Sequence, residues 1–118
     1  MTVLATYARV YVDDLDTALP TFVELTGEQP NLRFPYRDLE LASIGSYLLI
    51  AGTDEALAPY RDTHATAIVA SVEEILDLAE RTGATITDGP NEVPTGRNLT
   101  VRHPGGAIIE YVQFTATT

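Results

Sequence analysis

Few side chains in this sequence can do covalent chemistry, and their types narrow what that chemistry is. There are no cysteines, so a thiol nucleophile, a disulfide framework, a zinc finger and an iron–sulfur site are excluded. No nucleophile motif surrounds Ser43, Ser46 or Ser71. What is left is acid–base, ligating and hydrogen-bonding chemistry. It can come from two imidazoles, His64 and His103, from the carboxylate of Glu110, from the guanidinium of Arg9 and from six tyrosines. His64 opens one β-type run and Glu110 lies within another. His103-Pro104-Gly105-Gly106 reads as a turn, and His103 as a turn residue. Asp13, Asp14 and Asp16 read as a strand end and a helix cap, without the spacing or terminal Glu of a calcium loop. Residues 96–98 contain no phosphate-loop pattern.

The elements that must position these groups follow from hydrophobic periodicity. A strand is expected over 4–12. Asp16 is the expected N-cap of a helix over 17–26, with Pro20 in its first turn and Gly27 closing it. An edge-like stretch over 31–37, broken by Pro30 and Pro35, precedes strands over 39–44 and 47–51, and 52–63 reads as a linker. A second round begins with a strand over 64–70. Ser71 and Glu74 form a capping box for a helix running to 82, closed by Gly83. Strands over 84–87, 97–102 and 107–114 complete it, with 88–96 read as a loop.

The two rounds match. Tyr7-Ala8 lies 57 positions before His64-Ala65, and 45–50 lies 61 positions before 106–111. Each half reads strand, helix, strand, strand, strand, which predicts an α+β fold of two βαβββ modules, about 1–56 and 57–118. One helix covers one face of each module's sheet. Two modules together predict a curved mixed sheet, helices outside, around a concave pocket.

Composition limits the partners. At 118 residues the chain fits one domain with a core of its own. The formal net charge of −10 opposes nucleic acid or an anionic membrane surface as partner, and by long-range field favours cationic or neutral ligands. No run is long and apolar enough for a signal peptide or a membrane span, so a cytoplasmic protein is expected.

The segments 9–18, Arg-Val-Tyr-Val-Asp-Asp-Leu-Asp-Thr-Ala, and 102–111, Arg-His-Pro-Gly-Gly-Ala-Ile-Ile-Glu-Tyr, resemble the first strand entering its helix and the closing hairpin of the glyoxalase/bleomycin-resistance/dioxygenase superfamily, the vicinal oxygen chelate proteins. That fold hosts isomerases, lyases, dioxygenases and drug-sequestering binders, so the resemblance speaks for architecture more than for activity. The metal-dependent members draw one ligand from the first and last strand of each module. The resemblance puts Tyr7, Leu49, His64 and Glu110 at those positions, so only His64 and Glu110 are suited to a divalent metal. Ligand count favours a protein without a metal cofactor, a divalent ion bound by His64 and Glu110 being the alternative.

Alternation along the strands then builds the expected pocket wall: Tyr7, Arg9 and Tyr11; Tyr47 and Leu49; His64 and Thr66; Glu110. Tyrosines give flat contact area with a hydroxyl, and Arg9 suits a carboxylate or phosphate. Arg9 is also suited to be a counter-ion of Glu110, and His64 and Glu110 to hydrogen-bond each other across neighbouring strands. Three readings follow. The first is metal-independent binding of an aromatic or planar small organic molecule, as in drug sequestration and resistance. The second is a metal-dependent or metal-free lyase, isomerase or dioxygenase acting through His64 and Glu110 as catalytic residues. The third is a ligand-free regulatory dimer. The resemblance implies a homodimer in each case.

Overall fold

The computed structural model describes residues 2–93 and 95–115. It is α+β, with βαβββ order twice along the chain, and falls into two compact units: residues 7–62, and residues 63–118 together with 1–6.

The first unit holds most of β1 (Val3–Val12), then α1 (Leu15–Thr26), β2 (Leu32–Tyr36), β3 (Leu39–Ile44), β4 (Tyr47–Ala51) and a short α2 (Asp54–Leu57). Its strand order is β2-β3-β4-β1, with β1 and β4 parallel and the other pairs antiparallel. The second unit holds β5 (Ala65–Val69), α3 (Val72–Thr82), β6 (Thr85–Val93), β7 (Gly96–Arg102) and β8 (Ile108–Phe114), in order β5-β8-β7-β6. Here β5 and β8 are parallel, and the topology repeats that of the first unit strand for strand. The opening residues of β1 belong to this unit, where the Ala70 amide donates to the Thr2 carbonyl at 2.8 Å.

In each unit the helix covers one sheet face. Under α1, Leu15 and Leu19 pack on Ala42, Ile44, Leu49 and Ala51; under α3, Val72, Ile75 and Ala79 pack on Ala67, Val69, Leu99, Val101 and Tyr111. The first unit fills its other face as well. Leu39, Leu41, Leu48 and Ile50 alternate with the α1-facing set, and the fully buried Leu57 of α2 seals them, with Tyr7, Tyr11, Phe34, Tyr36 and Tyr60 half-buried at the margin.

Local chemistry departs from the expected elements at four places. Asp14 rather than Asp16 caps α1: its Oδ2 accepts from the Thr17 amide at 2.9 Å and from the Thr17 hydroxyl at 2.8 Å. Those two bonds hold the Asp14 carboxyl below its usual range. The helix therefore starts two residues early, at Leu15, and Pro20 lies inside it, where its missing N–H leaves the Asp16 carbonyl without an intrahelical donor. The expected linker contains α2, capped by Thr53 Oγ1, which accepts from the Ala56 amide at 3.0 Å. The expected loop over 88–93 is strand: β6 pairs with β7 to its end, absorbing Gly89-Pro90 in register irregularities on an edge strand. Pro94 lies outside the described residues.

The fourth departure is the cap of α3. Ser71 is the N-cap but makes no side-chain cap bond, and the Val72 amide is instead met by Gln113 Oε1 of β8 at 2.9 Å. Gln113→Ala is therefore expected to cost about 1 kcal/mol, the value of leaving a helix-end donor unmet, and Ser71→Ala distinctly less. Urea denaturation of both variants reads this directly. A larger loss for Ser71→Ala would return the cap to the local motif.

Candidate functional site

Strand register lays out the face of the second unit opposite α3. Thr66 pairs with Glu110 and Glu110 with Thr100; Ile68 pairs with Val112 and Val112 with Asn98; Ile108 pairs with Arg102. Their sequence neighbours Ala67, Leu99, Val101, Ile109 and Tyr111 belong to the core under α3, so alternation puts the paired set on the other face. This face mixes apolar side chains with a carboxylate, hydroxyls, a carboxamide and, beside Ile108, the exposed Arg102, a mixture of the kind that lines small-molecule sites.

Its polar groups are held in place. Thr66, 3% exposed, donates its hydroxyl to Glu110 Oε1 at 3.0 Å, so β5 sets the direction of a half-buried carboxylate on β8. Asn98, 7% exposed, accepts on Oδ1 from Asn91 Nδ2 at 3.0 Å, and the same Asn91 amide reaches Asp88 Oδ1 at 3.3 Å. Asn98, Thr100 and Asn91 were missed in the sequence. Alternation from Glu110 through the antiparallel partner strand was the signal that could have found Asn98 and Thr100.

His64 and Glu110 do not meet. The His64 amide donates to the Ile108 carbonyl at 2.8 Å, and the Ile108 amide donates to His64 Nδ1 at 3.1 Å. The register puts His64 beside Ile108, one row away from Glu110, whose direct partner is Thr66. The same Nδ1 of His64 lies 3.2 Å from the Ile108 carbonyl, so the backbone of residue 108 engages the ring on that edge. The ring is exposed. His103 is the turn residue expected, and its ring has a structural partner: Nε2 lies 2.7 Å from the Tyr111 hydroxyl. Burial pushes the Tyr111 phenol above its ordinary value.

In the first unit Tyr7, Arg9 and Tyr11 share the face away from α1. The Tyr11 hydroxyl donates to the Tyr60 carbonyl at 2.5 Å and accepts from Arg9 Nη1 at 3.1 Å, while the Arg61 guanidinium lies 5.7 Å from the Tyr11 ring centre. Tyr47 and Leu49, expected on that same wall, face the opposite way. Leu49 is 0% exposed under α1, and Tyr47 packs edge-on against Phe22 with ring centres 5.0 Å apart. Register gives the reason. Arg9 pairs with Leu48 as Thr66 pairs with Glu110, so Leu48, 62 positions before Glu110, is its counterpart rather than Leu49.

The donor set can now be tested against a divalent metal. Counterpart positions in the first unit offer the phenol of Tyr7 and the hydrocarbon of Leu48. The first ligates only as phenolate and the second not at all. Among the described residues no three His, Asp or Glu side chains gather as a ligand group. The residues present do not fit the four-ligand pattern that the resemblance implies.

No protein-family model matches the sequence. No curated protein matches it. Solved structures do. A protein from Methanosarcina mazei, described as uncharacterized, is 43% identical over 100% of this chain and 98% of its own, with a TM-score of 0.90. Methylmalonyl-CoA epimerase from Mycobacterium tuberculosis is 18% identical over 97% of this chain and 90% of its own, with a TM-score of 0.77. The Streptomyces coelicolor methylmalonyl-CoA epimerase in complex with 2-nitronate-propionyl-CoA is 18% identical over 98% and 97%, with a TM-score of 0.73. The chain therefore belongs to one family with the Methanosarcina mazei protein and has the vicinal oxygen chelate type of fold seen in the methylmalonyl-CoA epimerases.

Proposed function

We propose that this protein binds a small, planar organic molecule, without a resident metal, on the second unit's sheet face opposite α3. Glu110 is the polar anchor, and Ile68, Ile108 and Val112 supply flat apolar contact. The observation that carries this reading is the Thr66–Glu110 pair: a nearly fully buried hydroxyl aims a half-buried carboxylate from a face lined by apolar side chains and a buried carboxamide. Such a carboxylate suits a ligand N–H or O–H. Drug sequestration is the form of this reading in which the ligand is returned unchanged.

The test is calorimetric titration with bleomycin and a panel of aromatic antibiotics and natural products. Glu110→Gln keeps the shape and removes the charge, so a bound compound is expected to lose at least about tenfold in affinity, the worth of one charge-assisted hydrogen bond. Binding unchanged in Glu110→Gln, or no compound bound at all, would sink the reading.

The likeness in fold to an epimerase favours a second reading, in which Glu110 acts as a general base on a carbon acid. Its test is deuterium uptake at the α-carbon of methylmalonyl-CoA in heavy water. Uptake abolished by Glu110→Gln would replace binding by catalysis.

A further inference from the structure

The β2–β3 hairpin turns through two residues, Arg37 and Asp38, between the paired Tyr36 and Leu39. Arg37 takes the first loop position with φ of 53°, a backbone conformation in which a side chain costs free energy that glycine would not. Folding alone favours glycine or asparagine there. Strain of this kind persists where something else is gained from the side chain.

The Arg37 side chain is placed with care. Its guanidinium lies 5.0 Å from the centre of the Tyr36 ring, and Nη1 donates to the Tyr60 hydroxyl at 3.1 Å. Arg37 and Tyr60 line a cleft of about 380 Å³, within the size range of small-molecule sites. Leu39, Ala56 and Pro59 supply its apolar wall. The other charges lining it are the carboxylates of Asp38 and Glu55. One cation and two carboxylates beside an apolar wall disfavour a plain anion, which would meet the carboxylates, and a plain cation, which would meet Arg37. They suit a molecule carrying both charges and an apolar body.

We propose that this cleft is a site for a free α-amino acid with an apolar side chain. Its carboxylate is taken by Arg37 beside the Tyr60 hydroxyl, its ammonium by Asp38 and Glu55, and its side chain lies on Leu39, Ala56 and Pro59. The site lies wholly within the first unit and does not depend on the role of Glu110.

The experiment uses the full chain, labelled with nitrogen-15, titrated with L-phenylalanine and, separately, with its two halves, 3-phenylpropanoate and 2-phenylethylamine. L-phenylalanine is expected to shift the amide resonances of Arg37, Leu39 and Ala56 saturably, with either half at least about tenfold weaker, as expected when one charge-assisted contact is lost. Arg37→Gly removes the cation and relieves the backbone. It is expected to abolish the shifts while the melting temperature holds or rises. Glu55→Gln is expected to weaken L-phenylalanine and leave 3-phenylpropanoate as it was. No saturable shift, a half that binds as well as the whole, or full binding by Arg37→Gly would each overturn the site.

Discussion

A glutamate placed at Leu49 unfolds this protein. The substitution looks attractive because aligning 45–50 with 106–111 sets Leu49 opposite Glu110. Leu49 is 0% exposed and packs beneath α1 with Leu15, Leu19 and Ala42. Leu49→Glu buries a carboxylate among hydrocarbon with no donor in reach, and the ion, or its neutralisation, costs several kcal/mol beyond the lost packing. A stability of roughly 5–15 kcal/mol does not survive that comfortably. The expected result is loss of the cooperative thermal transition in circular dichroism. Leu49→Met, similar in volume, should cost less than about 1.5 kcal/mol and serves as the control. A folded Leu49→Glu variant melting with the wild type would mean that residue 49 does not sit under α1.

That error in alignment shows what was legible in the sequence and what was not. The helices, the repeat and the face carrying Thr66 and Glu110 follow from periodicity, because alternation within a strand is a local property. Register between strands is not local. The β3–β4 hairpin closes with Gly45-Ser46 between the paired Ile44 and Tyr47, whereas residues 103–107 separate the paired Arg102 and Ile108. The turns differ in length, two residues against five, so aligning their glycines sets Leu49 opposite Glu110 where register sets Leu48, and that one-residue slip moves every side chain to the opposite face.

The same contrast runs through the caps and the site. Gly27 and Gly83 close their helices with φ of 71° and 80°, as their sequence positions suggest. Gln113 caps α3 from a strand some forty residues away, a bond that separation in sequence conceals. His64 lies just before β5, beside Ile108, and it is Thr66 of β5 that hydrogen-bonds Glu110. Sequence favoured the histidine because its type advertises chemistry. The structure favours the threonine because registration decides contact.

Leu57→Ala is expected to release the segment that seals the first unit. Residues 52–63 read as a linker because they carry Pro59 and several charges. Their order in the structure comes from Leu57, which is 0% exposed against Leu39, Leu41, Leu48 and Ile50. The polar contacts of the segment include the Gly52 N–H to the Val12 carbonyl, the Tyr11 hydroxyl to the Tyr60 carbonyl, Arg37 to the Tyr60 hydroxyl, and an exposed Arg61–Asp54 pair at 3.4 Å. An exposed ion pair of that kind is worth little. Truncating Leu57 removes the buried anchor and costs about 2–5 kcal/mol, toward the low end if the segment lifts away instead of leaving a cavity. Lifting exposes the peptide bond after Arg61, which trypsin cuts. The expected result is a cut at Arg61 at least about tenfold faster than in the wild type, as the local opening equilibrium shifts by more than about 1.4 kcal/mol, with Arg81 of α3 and Arg97 of β7 still protected. Cleavage spread evenly over all the arginines would show instead that Leu57 supports the whole fold, and that the segment opens only when everything does.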